Sequence, residues 1–412
     1  MPQLPLSNSQ GSHHVMLFDL VNGGHHGTYL RYLVQSWIQK PFSTRLTLVV
    51  SPQFLTVHQE VVALVDGHPQ IELMPISDGE EAQRKQASGI RLGFVEWRIF
   101  CQYAQQIRAT QAMLMYFDYF QLAIAFGQPS PCPFSAIYFR PTFHYQSFAN
   151  TTITLKDQVR SWRQKALLKL AMRNTQFHTL FCLDPFAVKT IQQLHLCPTV
   201  VHLPDPVEIV PVSTQSVDDL RHKLGIEQNR KIFLLFGRLT ERKGVHALLE
   251  SLKQLSPESC QQICILLVGE IPEQDKAKIW QQVANLCQAL PVQILIQDRF
   301  LQEAEVPPYF QLADIVLALY QRHVGMSGIL LLAAAAQKPV LASNYGLMGE
   351  LAHRYHLGLA IEASDPQQIA QSLICCLEST NLGDVEKMQT FATQNLWSNY
   401  AETIHRGIAA LN

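Results

Sequence analysis

The feature that most constrains the fold is a series of short, uniformly apolar segments. In the second half they are KIFLLFG (231–237), ICILLVG (263–269), VQILIQ (292–297), DIVLALY (314–320) and PVLAS (339–343). Each has the length of a strand, and helical stretches separate them. Strands that are apolar on both sides predict a parallel sheet that helices cover on both faces.

The first half shows the same alternation. A strand-like VMLFDL (15–20) precedes the turn VNGGHHG, a stretch with helical spacing and a second strand, RLTLVVS (45–51). With 412 residues, the chain is too long for one ordinary core. We therefore expect an α/β fold with two doubly wound parallel-sheet (Rossmann-like) domains, residues 1–205 and 206–385, facing a cleft.

Charge and cysteine content exclude several classes of protein. The 32 basic and 33 acidic residues give a formal net charge of −1, which argues against a dedicated nucleic-acid-binding protein. The nine cysteines lack metal-site spacing, so we expect unpaired thiols and no metal. Residues 1–14 do not have the pattern of a signal peptide, and no apolar run is long enough to span a membrane. We expect a cytoplasmic protein.

Two loops that follow strands have the composition of an anion site. HVGMSGILLLAAAA places small residues before an apolar helix, whose free N–H groups and macrodipole suit a phosphate. FGRLTERKG places an Arg and a Lys on one loop, and these cations could clamp a diphosphate. The alternatives are an ordinary core turn and a solvated basic turn. The candidate residues are Gly237, Arg238, Lys243, Ser327, Gly328 and Ile329.

The order of the motifs resembles a known family. FGRLTERKGVHALLESL, LLVGE, ADIVLALY, the 323–343 segment, GLMGEL and LGLAIEASDPQQIAQSL follow one another as in retaining, nucleotide-sugar-dependent glycosyltransferases of the GT-B fold (glycosyl transferases group 1). The resemblance covers residues 230–400 strongly. The first half resembles the family only in GGHHG, FRPTFHY and LPDPV.

The resemblance implies an activity. A sugar would move from a nucleoside-diphosphate sugar to a hydroxyl acceptor, with retention and with no other cofactor, as in polysaccharide biosynthesis. The acceptor would be a glycan, a lipid-linked molecule or a small molecule. Residues 386–412 would form a helix that packs back on the first domain.

The resemblance also assigns roles to residues. The catalytic residues would be His144, Arg238 and Lys243. The donor-binding residues would be Gly24, His26, Gly237, Asp298, Arg299, His323, Ser327, Gly328, Ile329 and Glu350. Asp118 and Arg140 are candidate acceptor residues from their positions at the ends of strand-like runs. The structural alternatives are a helix-capping turn for His26, a packed histidine for His144, a helix cap for Asp118 and a purely structural role for Glu350.

Two carboxylates that the family carries are missing. Their places are taken by Val324 and Leu332, and Leu332 cannot accept a hydrogen bond. His323 stands beside the first place and is a substitute contact to the sugar, or only a polar loop residue. The losses raise a second hypothesis, a degenerate GT-B protein that binds or scaffolds without catalysis. A related epimerase or phosphorylase is the third.

Residues 156–173 carry an uneven charge. Six basic residues oppose the single acid Asp157, and Val159, Trp162, Ala166 and Leu170 form an apolar stripe at helical spacing. A basic amphipathic helix suits peripheral contact with a membrane or an anionic, lipid-linked acceptor. The alternative is a core-packed helix with a solvated basic face.

Overall fold

The computed structural model describes residues 13–40, 44–148, 154–196, 198–379 and 381–410. The chain divides into two compact units. The first unit consists of Met1–Pro141, Val159–Leu203 and Ser398–Asn412. The second unit consists of Thr142–Gln158 and Pro204–Trp397, so a segment from the first half of the sequence belongs to it.

Strands and helices alternate along both units. The strands are β1 His14–Asp19, β2 Arg45–Val50, β3 Ile71–Pro75, β4 Gln111–Leu114, β5 Phe134–Tyr138, β6 Phe177–Cys182, β7 Thr199–His202, β8 Lys231–Phe236, β9 Ile263–Val268, β10 Gln293–Gln297, β11 Ile315–Ala318, β12 Val340–Ser343 and β13 Gly358–Ile361. The helices are α1 His26–Gln39, α2 Phe54–Val57, α3 Gln59–Val65, α4 Asp78–Gln86, α5 Gly89–Gln106, α6 Gln121–Phe126, α7 Leu155–Ala171, α8 Pro185–Gln192, α9 Thr214–Leu224, α10 Val245–Leu252, α11 Pro257–Gln261, α12 Glu273–Ala289, α13 Val306–Leu312, α14 Gly328–Ala335, α15 Gly346–Arg354, α16 Pro366–Glu378, α17 Val385–Gln394 and α18 Trp397–Ala409.

Each unit contains one parallel sheet. The seven-stranded sheet of the first unit has the order β3-β2-β1-β4-β5-β6-β7, and the six-stranded sheet of the second has β10-β9-β8-β11-β12-β13. Every pair of neighbouring strands in both sheets is parallel. The predicted α/β class with two doubly wound sheets is therefore confirmed. The strand order reverses beside β1 and β8, and ligands bind such sheets at these points, beyond the carboxyl ends of the strands.

The central strands have the burial that their apolar sequences predict. All six residues of β1 and all six of β9 are buried, because helices cover both faces of each sheet. The helix α14 is uniformly apolar, and five of its eight residues are buried. A helix that is apolar on every side has no face suited to water, so α14 depends on burial for its stability.

The last helix packs within the first unit. The ring of Tyr400 on α18 lies 5.2 Å from that of Tyr29 on α1, centroid to centroid. Nε2 of His405 lies 3.0 Å from the hydroxyl of Ser36. These contacts explain why Ser398–Asn412 belongs to the unit that the N-terminal half builds.

The alternative of a core-packed α7 is wrong for its first half. Val159 and Trp162 on the predicted apolar stripe are 66% and 73% exposed, whereas Ser161, Leu168 and Ala171 are buried. The buried residues lie on another side of the helix than the stripe. The first two turns of α7 therefore expose apolar side chains between basic ones.

Candidate functional site

The loop that follows β8 buries a cation. Gly237 takes φ +98°, and the chain then reaches a short 3-10 turn, Glu241–Lys243. Lys243 is only 7% exposed, and its Nζ donates to the carbonyl of Phe236 over 3.1 Å and to the hydroxyl of Tyr320. A Cβ on residue 237 would lie 3.1 Å from this Nζ, so the glycine leaves room for the ammonium. In the described part of the chain, no carboxylate pairs with Lys243.

The environment of Lys243 makes its cation less stable than that of an exposed lysine. Burial lowers the pKa of Lys243, and the charge of Arg242 lowers it further. The hydrogen bond to Tyr320 raises it in part, and the net pKa lies below the usual lysine value. A buried ammonium without a counter-ion is costly, and a bound anion would supply the missing charge.

Tyr320 connects Lys243 to the start of α14. It stands two residues beyond β11. Its hydroxyl also accepts a hydrogen bond from the Ser327 hydroxyl over 3.4 Å. Ser327 is the N-cap of α14, but its side chain caps no backbone N–H. The ring of His323 lies 4.8 Å from that of Tyr320, and its Nδ1 lies 3.3 Å from the Arg242 guanidinium. The structure therefore brings Lys243, His323 and the Ser327 helix start together around one tyrosine.

The turn before α14 is held by residues 142–158. The N–H of Gly325, at φ +95°, donates to the buried hydroxyl of Tyr145 over 3.1 Å. Arg322 pairs with Asp157 at 2.8 Å. These two contacts fix both ends of the 322–325 turn that leads to the helix start.

His144 lies in the same segment, within the second unit. The structure buries it at right angles to the rings of Tyr145 and Phe148, with centroids 4.9 and 5.3 Å away. Such an aromatic surround is the environment of a packed histidine. The catalytic role that the resemblance implied for His144 stays a prediction.

The carboxyl ends of three neighbouring strands in the first unit carry a second cluster of polar groups. Asp19 is the last residue of β1 and is buried. Its Oδ1 accepts the N–H of Val21 at 3.0 Å, and its Oδ2 lies 2.7 Å from Nδ1 of His26 at the start of α1. The His26 ring lies 5.7 Å from Tyr116, after β4, and 6.0 Å from Phe139, after β5.

Burial and charge act on His26 in opposite directions. Burial lowers the pKa of His26, but the adjacent Asp19 carboxylate raises it by its charge and its hydrogen bond. Arg140 lowers it slightly, and the net pKa lies above the usual histidine value. Asp19 therefore makes His26 a stronger base than an exposed histidine.

The capping alternative for Asp118 is wrong. Its Oδ2 accepts the N–H of Phe139 over 3.0 Å and so joins the ends of β4 and β5, while α6 starts three residues later without a side-chain cap. Burial raises the pKa of Asp118 to about 6. The exposed Arg140 places its guanidinium 6.0 Å from the centroid of the Tyr116 ring.

The other predicted residues lie apart from these two clusters or are exposed. Asp298 accepts the Ile271 N–H at 2.9 Å and pairs with Lys276 at 2.8 Å. Arg299 pairs with Glu305 at 2.7 Å. Asp298 and Arg299 directly follow β10, which lies at the edge of its sheet. Glu350 pairs with Arg354 one helical turn away, at 2.8 Å. Arg238 and Gly24 are exposed, and Gly328 and Ile329 form the first turn of α14.

The structure adds residues that the sequence did not indicate. Asp19, Tyr116, Tyr145 and Tyr320 complete the clusters through contacts with residues far along the chain or on neighbouring loops. The signal in the sequence was only their position, since Asp19, Tyr116 and Tyr320 each stand at the end of a strand-like run. No group of three or more potential metal ligands is present among the residues that the structure describes. In the same residues, no helix has both the length and the apolarity to cross a bilayer.

Comparison with solved structures identifies the class of fold. The HepE protein of Anabaena in complex with UDP-glucose matches with a TM-score of 0.65 and 17% identity, over 96% of this chain and 99% of that one. The sucrose-phosphate synthase of Thermosynechococcus elongatus matches with a TM-score of 0.68 and 15% identity, over 97% and 100%. The chain has the two-sheet GT-B fold of glycosyltransferases.

Comparison of sequences narrows the class. Residues 230–379, which contain Lys243, Tyr320 and Ser327, match the family model of glycosyl transferases group 1. The putative glycosyltransferase YtcC of Bacillus subtilis is 28% identical over 156 residues. That match spans 37% of this chain and 38% of YtcC. The second half of the chain is thus similar to group 1 glycosyltransferases, as its motifs predict.

Proposed function

We propose that the protein transfers a sugar from a nucleoside-diphosphate sugar, with UDP-glucose as the first candidate, to a hydroxyl acceptor. The observation that carries the proposal is the buried Lys243, which has no carboxylate partner in the described residues and stands beside the start of α14. A diphosphate would receive hydrogen bonds from Lys243 and from the free N–H groups of the helix. Solved neighbours such as HepE bind UDP-glucose, which supports this donor class.

The same groups would promote the reaction. As the bond from the sugar to the diphosphate breaks, negative charge accumulates on the departing phosphate oxygen. Lys243 and the start of α14 are held in place before the reaction, so they would stabilise this charge without reorganisation. Arg238 is exposed on the same loop and would close on the anion from the solvent side.

In this mechanism the groups that bind and stabilise the diphosphate belong to the protein. The nucleotide sugar is the co-substrate. Retention stays a prediction of the resemblance. The non-catalytic hypothesis is not favoured, because the second half matches a family of enzymes and keeps the buried cation.

A panel of nucleoside diphosphates and their glucose derivatives tests the proposal. A ligand that binds only the folded protein raises the melting temperature in proportion to the logarithm of its concentration. We expect a dose-dependent shift with one nucleotide series and release of the diphosphate from its sugar. The shift should shrink in Arg238→Ala and persist in Lys253→Ala, a control at the exposed C-cap of α10. Nucleotide binding without any turnover would favour the non-catalytic hypothesis, and no shift at all would reject the donor site.

We also propose that α7 docks on an anionic lipid surface. Leu155, which is 79% exposed, lies on the same face as Val159 and Trp162, one and two turns further on. Lys156, Arg160 and Arg163 follow these residues along the helix. The single acid Asp157 is already paired with Arg322. The face therefore combines insertable apolar groups with an uncompensated positive charge.

Co-sedimentation with vesicles tests the docking. We expect binding to vesicles that contain phosphatidylserine, weaker binding to pure phosphatidylcholine, and release by salt. Trp162→Glu should abolish binding. Trp280→Glu is the matched control, because Trp280 is 46% exposed on α12. Equal binding by Trp162→Glu and the unchanged protein would reject the proposal.

A further inference from the structure

The Tyr320 hydroxyl meets two other hydrogen-bond donors within the second unit. Nζ of Lys243 donates to it and, over 3.1 Å, to the carbonyl of Phe236. The hydroxyl of Ser327 lies 3.4 Å away. Tyr320, Lys243 and Ser327 are 5%, 7% and 4% exposed, so their polar atoms depend on partners other than bulk water.

This cluster has more hydrogens to donate than atoms to receive them. An ammonium has three N–H bonds, and each hydroxyl has one O–H bond. The Phe236 carbonyl and the Tyr320 oxygen each receive an N–H of Lys243, and the hydroxyls of Tyr320 and Ser327 share one hydrogen. No oxygen or nitrogen of the described residues accepts the third N–H or the remaining O–H. A buried donor without an acceptor is costly, and a ligand that supplies oxygens would satisfy both.

The remaining O–H is assigned to Tyr320. In the pair of hydroxyls, Ser327 donates and the Tyr320 oxygen accepts. A phenol is also more acidic than an aliphatic alcohol, so it is the stronger donor to an anion. Because the Tyr320 oxygen accepts a hydrogen bond from the Lys243 ammonium, its own O–H bond is polarised further. The phenolic hydrogen is therefore the one that an anionic ligand would receive.

The charges around Tyr320 favour an anionic ligand. The centroid of its ring lies 4.2 Å from Nζ of Lys243 and 5.3 Å from the guanidinium of Arg242. The ring of His323 lies 4.8 Å away, and its Nδ1 accepts from Arg242 over 3.3 Å. In the described part of the chain, these are the charged and titratable groups that contact the ring, and none is a carboxylate.

We infer that Tyr320 is a further catalytic residue that donates a hydrogen bond to the β-phosphate of the nucleotide, an inference that rests on the proposed sugar transfer. In the reaction, the bond between the anomeric carbon and the β-phosphate oxygen breaks, and its electron pair stays on the phosphate. The acceptor oxygen bonds to the anomeric carbon, and its proton passes to solvent. Tyr320 keeps its own proton throughout, but its hydrogen bond strengthens as charge accumulates on the phosphate.

A donor of this kind distinguishes the product from the substrate. The terminal phosphate of UDP carries more negative charge than the same phosphate esterified to glucose. Hydrogen bonds strengthen as the charge on the acceptor grows, so Tyr320 contributes more to binding UDP and the transition state than to binding UDP-glucose.

A substitution measures this contribution. Tyr320→Phe should weaken UDP binding roughly tenfold or more and UDP-glucose binding about threefold or less, in calorimetric titrations. With water or a simple glucoside as acceptor, kcat for UDP release from UDP-glucose should fall by a larger factor than KM rises. Tyr355→Phe is the matched control, because it removes a hydroxyl that bonds Gln394 at the C-cap of α15 in the same unit.

A second variant separates donation to phosphate from simple support of Lys243. Tyr320→difluorotyrosine keeps the oxygen that accepts from Lys243, but fluorine makes the phenol ionise at lower pH. If Tyr320 donates to the phosphate, UDP affinity should begin to fall at lower pH than in the unchanged protein, because a phenolate has no hydrogen to donate and repels the phosphate. If Tyr320 only supports Lys243, the phenolate should stabilise the ammonium and move the fall to higher pH.

Three results would overturn the inference. The first is a fall in UDP affinity that stays in place or moves to higher pH in the difluorotyrosine variant. The second is an equal loss of UDP and UDP-glucose affinity in Tyr320→Phe. The third is a selective loss of UDP affinity in Ser327→Ala but not in Tyr320→Phe, which would assign the hydrogen to Ser327. If the unchanged protein binds no nucleoside diphosphate at all, the proposed function itself fails, and the inference fails with it.

Discussion

Replacing Lys243 with methionine separates its effect on folding from its effect on binding. Removing a buried ammonium relieves a desolvation penalty of several kcal/mol. It also leaves the Phe236 carbonyl and the Tyr320 hydroxyl without their donor, at roughly 1–3 kcal/mol each. Because these terms oppose each other, the free energy of unfolding of the unliganded protein should change by less than about 2 kcal/mol.

The effect on binding has no such compensation. A hydrogen bond from a charged donor contributes about 1.5–3 kcal/mol, so UDP should bind roughly 10- to 150-fold more weakly. Calorimetric titration with UDP measures this loss, and urea unfolding measures the stability. Lys253→Met, at the exposed C-cap of α10, is the control for a lost positive charge.

The pH dependence gives an independent check on the same residue. The pKa of Lys243 is lowered by burial, so its cation is lost on raising the pH earlier than that of an ordinary lysine. UDP affinity should be full below this pKa and fall as pH rises through it. A Lys243→Met variant that binds UDP as the unchanged protein does would refute the reasoning. A Lys243→Met variant that loses more free energy of unfolding than free energy of UDP binding would also refute it.

Three further predictions concern single residues. Tyr320→Phe removes the hydrogen bond that raises the pKa of Lys243, so the loss of UDP affinity with pH should begin at lower pH, as calorimetry would show. Gly237→Ala places a methyl group at φ +98° beside the Lys243 ammonium and should cost roughly 1–3 kcal/mol, measured by urea unfolding, along with UDP affinity. Burial, followed by the charge of Lys40, lowers the pKa of His405 from 6.5 to about 4. The unfolded chain therefore binds a proton that the folded one does not, and stability should fall by about 3 kcal/mol as pH drops through this window. His405→Gln should flatten that part of a plot of stability against pH.

The sequence determined the buried elements better than the edges. β8, β9 and α14 were predicted closely because both faces are covered and the residues are apolar throughout. β3 and β13 lie at sheet edges, where only part of each strand is buried, and neither was predicted. β10 is also an edge strand, but its apolar segment VQILIQ predicted it.

The clusters were harder to predict for a different reason. Lys243 and the Ser327 helix start were found from local motifs, but their connection through Tyr320 depends on two neighbouring strands. In the sequence, Asp19 is only a carboxylate at the end of an apolar run. Its contact with His26 depends on how α1 is rotated about its own axis relative to β1. The stripe on α7 was visible from periodicity, yet periodicity does not say which face a helix buries.

The division of the chain has a consequence for how it can be taken apart. The backbone passes from one unit to the other after Pro141, Gln158, Leu203 and Trp397. A gene fragment that ends near residue 205 would carry Tyr145 without the turn that it holds, and would lack the buried Tyr400 of α18. Neither unit is therefore one continuous stretch of sequence, and exchanging the whole second unit between relatives by recombination would need a junction at each of these four positions.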